Sequence, residues 1–173
     1  MRVLLSSNQI QARVREMGAG ISRDYATSTD LVLVGVMRGS VCFLADLMRA
    51  IDRPLRIDFC AVRSYSGTSG GTPELVTNLL GDVRGADVVI VEDIIERGVT
   101  LQAVMQLVER QEPKSVALCT LLRKDIVRNW EPKVRYVGFE IGPEFVVGYG
   151  LDYEQRFRNL PYVGIPDPGE IDG

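Results

Sequence analysis

The segment VVIVEDIIERGVT places adjacent carboxylates, Glu92 and Asp93, at the end of an apolar run. A further carboxylate, Glu96, follows, and then Arg97-Gly98-Val99-Thr100 at what reads as a helix start. Acidic residues side by side at the end of a buried strand are costly unless they hold a cation or hydrogen-bond sugar hydroxyls. The glycine, the threonine and the helix N-terminus supply backbone N–H donors and a positive dipole end, which suit a phosphate monoester. The two halves together point to a sugar phosphate. Taken alone, the same residues also read as an exposed acidic turn with Thr100 as an N-cap. The chain has no histidine, which excludes Ser-His-Asp and Cys-His nucleophile systems, imidazole zinc sites and a histidine general base. Chemistry must run on carboxylates, Lys, Arg, Tyr or the backbone.

The elements that must position these residues are legible in the hydrophobic pattern. With 173 residues, 46% hydrophobic and 25% charged, the chain suits one domain with enough interior to fold without disulfides. Twenty basic against 23 acidic side chains leave no basic footprint for nucleic acid. Cys42, Cys60 and Cys119 are widely spaced and read as buried free thiols. Apolar runs such as LVLVGVM are too short for a membrane span, and a cytoplasmic protein is expected. Ser6 and Gln9 form a capping-box pattern before Ile10, Val14, Met17, Ile21 and Tyr25, which predicts an amphipathic helix. Continuous apolar strands are predicted at 31–36, 86–95 and 115–122, and a half-buried one at 55–63, with helices between them. The Gly/Ser/Thr-rich stretch at 64–74 reads as a loop, either a lid or a hairpin tip. VRYVGFEI and EFVVGYG, after Pro132, read as a smaller hood over the sheet's edge. The fold predicted is α/β, a mainly parallel central sheet flanked by helices. It forms a single domain, 1–173, with a core over about 1–130 and a hood mainly from about 131–173, to which the N-terminus is free to contribute. In such sheets ligands gather at the carboxyl ends of the strands, where the acidic segment falls.

The acidic segment resembles the phosphoribosyl-pyrophosphate (PRPP) motif of type I phosphoribosyltransferases: an apolar strand, an acidic pair, two apolar residues, then D-[TS]-G-x-T. The rest of the chain is similar to one branch, the hypoxanthine or hypoxanthine-guanine phosphoribosyltransferases. GVMRGSVCFLADLMRAI resembles that branch's pyrophosphate loop and helix, IDFCAVRSYSG its strand and lid, and SVALCTLLRK the strand ending in a purine-contacting lysine. VGFEIGPEFVVGYGLDYEQRFRNLPYVG resembles its C-terminal segment, and the likeness runs in order from about 31 to 165. It implies a magnesium-dependent transfer of the 5-phosphoribosyl group from PRPP to hypoxanthine, and to guanine as well, in purine salvage. No protein nucleophile is needed, because displacement at the anomeric carbon passes through an oxocarbenium-like state; the lack of histidine is compatible with it.

Carried over by position, the resemblance assigns Glu92 and Asp93 to the ribose hydroxyls and the magnesium site, and Arg97, Gly98, Val99 and Thr100 to the 5′-phosphate loop. It assigns Arg38, Gly39 and Arg158 to pyrophosphate, with a non-proline cis peptide often preceding the first of these. Lys124, Phe145 and Val146 fall to the purine, Asp152 to magnesium beside the purine, and Ser64 and Tyr65 to the lid. Glu96 stands where the family usually has the aspartate that acts as base, and Arg97 where it has Thr or Ser. A donor-only lysine at 124 favours 6-oxopurines over adenine. The family's habit implies a homodimer or homotetramer, with no nucleic-acid or membrane partner. The departures at Glu96 and Arg97 leave a second reading open, a protein of this fold that senses PRPP or nucleotide without efficient turnover. A dinucleotide-binding oxidoreductase is set aside, since no G-x-G-x-x-G follows a strand.

Overall fold

Ser6 caps the first helix by accepting from Gln9 N, while Gln9 Oε1 accepts from Ser6 N at 2.9 Å, the reciprocal box that the sequence predicts. The computed structural model describes residues 1–63, 74–126 and 133–171; Ser64 and Tyr65, the expected lid, lie outside them. The chain runs β1 (Arg2–Leu5), α1 (Ser7–Asp24), β2 (Leu31–Met37), α2 (Val41–Ala50), β3 (Arg56–Arg63) and β4 (Glu74–Thr77). It continues through β5 (Asp87–Ile95), α3 (Val99–Glu109), β6 (Ser115–Lys124), β7 (Tyr136–Ile141), β8 (Val163–Ile165) and α4 (Pro168–Ile171).

The principal sheet has six strands in the order β4-β3-β2-β5-β6-β7, all pairs parallel except β3–β4. The unbroken apolar runs of β2, β5 and β6 form its centre because both faces are covered. Leu31, Leu33, Val89 and Val91 face α1 and α2; Val32, Val34, Val88 and Ile90 face α3 through Leu101, Val104 and Val108. From β2 the chain crosses to β3 on one side, and from β5 it crosses to β6 on the other. The strand order therefore reverses between β2 and β5, and a crevice opens at their carboxyl ends. Arg38-Gly39 and Glu92-Asp93 are the residues delivered there.

The division between sheet and hood differs from the sequence reading. Tyr136–Ile141, expected in the hood, is the parallel edge strand beside β6. Its residues are mostly half-buried, so the segment lacks the run that marks a central strand. Gly138 lies on the Leu121 carbonyl, and Arg13 of α1 caps the outer edge, donating to Gly138 O at 3.0 Å and Val137 O at 2.8 Å. The small lobe takes in a two-stranded pairing of β1 with β8, extended by a bridge between Val147 and Gly164. Among the described residues no helix is long and apolar enough to cross a membrane.

Asp58, buried on β3, accepts from the N–H groups of Phe59, Leu80 and Gly81 at 2.7, 3.1 and 2.8 Å. Asp58→Ala is expected to lower the unfolding free energy by about 2 kcal/mol, the cost of leaving such donors without their acceptor. Urea denaturation checks this, and a loss below about 0.5 kcal/mol, the scale of an ordinary surface change, would show that the 79–81 turn does not depend on it.

Candidate active site

At the end of β2 the Met37–Arg38 peptide is cis, as the resemblance implies. Ser40 ties the turn down, with Oγ donating to Val36 O at 2.7 Å and its own carbonyl accepting from Leu44 N at 2.7 Å. Gly39 faces Asp93 so closely that a Cβ there would collide with Asp93 Oδ2. The other carboxylate oxygen, Oδ1, accepts from Ile94 N at 2.8 Å. Gly150, at φ +102°, brings the hood against the same turn, where its Cβ would strike the Gly39 carbonyl.

The cleft above this junction encloses about 460 Å³. Of the residues singled out in the sequence, Arg38, Gly39, Glu92, Asp93, Glu96, Thr100, Phe145, Val146, Asp152 and Arg158 line it. Lys124 reaches the group through an ion pair with Glu96. Arg97 and Gly98 do not line it, and Arg97 is exposed. Gly98 takes φ +76° as N-cap of α3, a conformation only glycine adopts without cost, and its carbonyl accepts from Gln102 N. Among the described residues Val36, Met37, Val62, Ile94 and Leu151 complete the wall; their apolar side chains carry no sequence signal that separates them from core.

Burial, followed by the charge of Asp93, pushes the Glu92 carboxyl well above the usual carboxylate range, and burial also raises Asp93. Glu92 Oε2 is enclosed without a hydrogen-bond partner. A carboxyl whose pKa is raised by folding favours the fold below its unfolded value of about 4.5, and that advantage is lost as pH rises through the folded value. The ligand-free protein should therefore lose unfolding free energy as pH rises above about 4.5, and Glu92→Gln should flatten that decline. Urea titrations across the pH range decide it; parallel curves for the two proteins would place the proton elsewhere.

On the hood side, Arg158 pairs with Asp152 Oδ1 at 2.7 Å and donates to Gly150 O at 2.7 Å. Asp152 Oδ2 accepts from Gln155 N at 2.8 Å. Phe145, 47% exposed, presents its ring to the cleft and is held edge-on by Tyr153 at 6.0 Å between centroids. Gln155 was not singled out in the sequence. Its side-chain oxygen accepts from Arg38 Nη1 at 2.9 Å and from Arg158 Nη2 at 3.2 Å, joining the two sides of the cleft.

Lys124, at the end of β6, is 8% exposed and its ammonium sits on Glu96 Oε1; Glu96 itself is 49% exposed. A donor-only cation and a carboxylate thus stand together at one end of the cleft, with an aromatic face, the carboxyl pair and two guanidinium groups also on its walls. Cys60 and Cys119 are buried free thiols, and burial raises Cys60 to about 12, so neither supplies a nucleophile.

A parallel sheet with its cleft at the switch point, an acidic strand end and a glycine-led helix start defines an α/β protein that handles a phosphorylated sugar. A family model described as a phosphoribosyl transferase domain matches residues 4–154. A hypoxanthine phosphoribosyltransferase of Salmonella typhimurium is 46% identical over 167 residues, covering 95% of this chain and 94% of the relative. A hypoxanthine-guanine phosphoribosyltransferase of Mycobacterium avium is 44% identical over 173 residues, covering 96% and 85%. The crystal structure of a hypoxanthine phosphoribosyltransferase from Staphylococcus aureus matches with a TM-score of 0.92 at 40% identity, over 98% of this chain and 93% of that one. The chain belongs to the phosphoribosyltransferase family, and within it to the hypoxanthine phosphoribosyltransferase branch.

Proposed function

We propose that the cleft transfers the 5-phosphoribosyl group of PRPP to hypoxanthine, and to guanine, releasing pyrophosphate and the 5′-mononucleotide in purine salvage. The observation that carries this reading is the convergence on one cleft of the Glu92–Asp93 pair, Arg38 with Arg158, and the Lys124–Glu96 ion pair. The relatives named above support it. Glu92 and Asp93 take the ribose hydroxyls. The turn at Arg97–Thr100 takes the 5′-phosphate, where the first N–H groups of α3 have no carbonyl within the helix. Arg38, the Gly39 backbone and Arg158 receive pyrophosphate. Phe145 stacks on the purine, Val146 meets its edge, Lys124 donates to its 6-oxygen, and Glu96 accepts the proton released as the ring nitrogen bonds to the anomeric carbon.

The donor set fits magnesium. The cleft wall offers the carboxylates of Glu92, Asp93 and Asp152, and magnesium completes a shell of few carboxylates with phosphate oxygens and water. Glu92 Oε2 is an oxygen in need of a partner. Asp152, Glu92 and Asp93 are the residues that would hold the ion. When bound, it neutralises charge on the departing pyrophosphate. We further place the protein in the cytoplasm as a homodimer or homotetramer, with no nucleic-acid or membrane partner.

Nucleotide formation from PRPP and magnesium with hypoxanthine, guanine and adenine in parallel tests the reading. Turnover of the two 6-oxopurines with adenine refused is expected, since adenine's amino group would face the Lys124 ammonium, donor against donor. Equal use of adenine would remove Lys124 from the base pocket. PRPP binding without turnover of any base would establish the sensor in place of the enzyme.

A further inference from the structure

We infer that Gln155 is a positioning residue for the pyrophosphate end of the cleft: a neutral bridge that holds Arg38 and Arg158 together without cancelling their charge. The inference rests on the reading of the cleft given above. Guanidinium groups only donate, so the amide must turn its oxygen toward them, and that single atom accepts from Arg38 Nη1 at 2.9 Å and Arg158 Nη2 at 3.2 Å. The two arginines arrive from opposite sides, one on the turn after β2 and one in the hood. Two like charges drawn to one point repel, and an acceptor between them offsets this. A carboxylate at this position would hold them more firmly but would subtract a full charge from the place where a polyanion binds. The amide oxygen supplies the geometry and adds no negative charge to the one that Asp152 already sets against Arg158.

The backbone carries an independent sign. Tyr153 N donates to Arg156 O at 3.2 Å and Arg156 N to Tyr153 O at 2.9 Å, closing a two-residue turn over Glu154 and Gln155. Both central residues have positive φ, +49° and +65°. Turns of this kind are ordinarily made by Asn and Gly, which tolerate the left-handed region; Glu and Gln do not favour it. Strain of this sort persists where the side chain it aims has a task. Here the turn directs the Gln155 amide across the cleft to Arg38 and its N–H onto Asp152 Oδ2.

The test is calorimetric titration of the whole protein with pyrophosphate and magnesium chloride, alongside steady-state kinetics and thermal unfolding. Gln155→Asn keeps the amide and eases the turn but is one methylene too short to reach both arginines. Gln155→Ala removes the bridge, and Gln155→Glu keeps its shape while adding a negative charge. Each variant is expected to bind pyrophosphate at least about tenfold more weakly, the lower end of what a hydrogen bond to a charged group supports. Gln155→Glu should lose the most. KM for PRPP should rise in step with KM for hypoxanthine unmoved, and the melting temperature of Gln155→Asn should not fall. Wild-type affinity in Gln155→Asn and Gln155→Ala would overturn the bridge, and wild-type affinity in Gln155→Glu would overturn its neutrality. Failure of the wild-type protein itself to bind pyrophosphate would overturn the reading of the cleft, a different result from any of these.

Discussion

Glu96→Gln is expected to lower kcat by about 10²- to 10³-fold, within what a positioned proton acceptor contributes. The purine ring nitrogen that attacks the anomeric carbon must shed its proton as the new bond forms. Glu96 is the carboxylate on the cleft wall that stands against Lys124, and an amide of the same shape cannot take that proton. The same change removes the charge that holds the Lys124 ammonium in place, so the KM for hypoxanthine should rise severalfold. The KM for PRPP, which depends on other groups, should not. Glu96→Asp keeps the carboxylate and withdraws it by one methylene from the lysine, so its rate should fall between the two. A Gln variant within about threefold of wild type would move the base elsewhere.

The parts of this site that could be read from the chain are those where one physical demand dominates the pattern. A strand buried on both faces has to be continuously apolar, so VVIV announces β5, and the carboxylates that end it stand out because nothing in a core would choose them. The α1 boundary was legible for a similar reason, since Ser6 and Gln9 satisfy each other's backbone donors at a spacing that few other structures use. Arg38, Lys124, Asp152 and Arg158 are ordinary surface residues by composition. Only the order of resembling segments marked them; three line the cleft, and Lys124 joins them through its ion pair with Glu96.

What escaped was set by distant partners. RVLL is too short to show alternation, and β1 forms only because β8, some 160 residues on, supplies the other half of the ladder. β7 looks like hood because one of its edges is capped by a side chain, Arg13, which no periodicity reports. Gln155 gave no signal because its turn uses neither Gly nor Asn, the residues by which such turns are recognised. Arg97 stands in the matching loop, yet the structure leaves it exposed and off the cleft wall. A match in sequence fixes where a residue sits on the backbone, not where its side chain goes.

Gly39→Ala is expected to cut kcat/KM by about 10²-fold while the protein stays folded, because a shift on the order of 1 Å in a reacting group costs about that much. The added Cβ would occupy the space of Asp93 Oδ2, and neither side can yield cheaply. Asp93 projects from a buried strand with its other oxygen bonded to Ile94 N, and the Gly39 turn is tied to Val36 through Ser40 and backed by Gly150. Overpacking of this kind costs about 1–3 kcal/mol, less than the stability of an ordinary domain. The clash moves either the carboxylate that meets the ribose or the backbone that meets pyrophosphate, and either shift disables the same step. Removing the obstructing carboxylate separates the two effects: Gly39→Ala combined with Asp93→Ala should recover most of the lost stability and none of the lost activity, a coupling that a double-mutant cycle reads directly. Gly169→Ala in α4, where the added methyl meets no other element among the described residues, is the control expected to leave both unchanged. Wild-type kcat/KM in Gly39→Ala would mean that the contact between Gly39 and Asp93 is not what sets the geometry of the transfer.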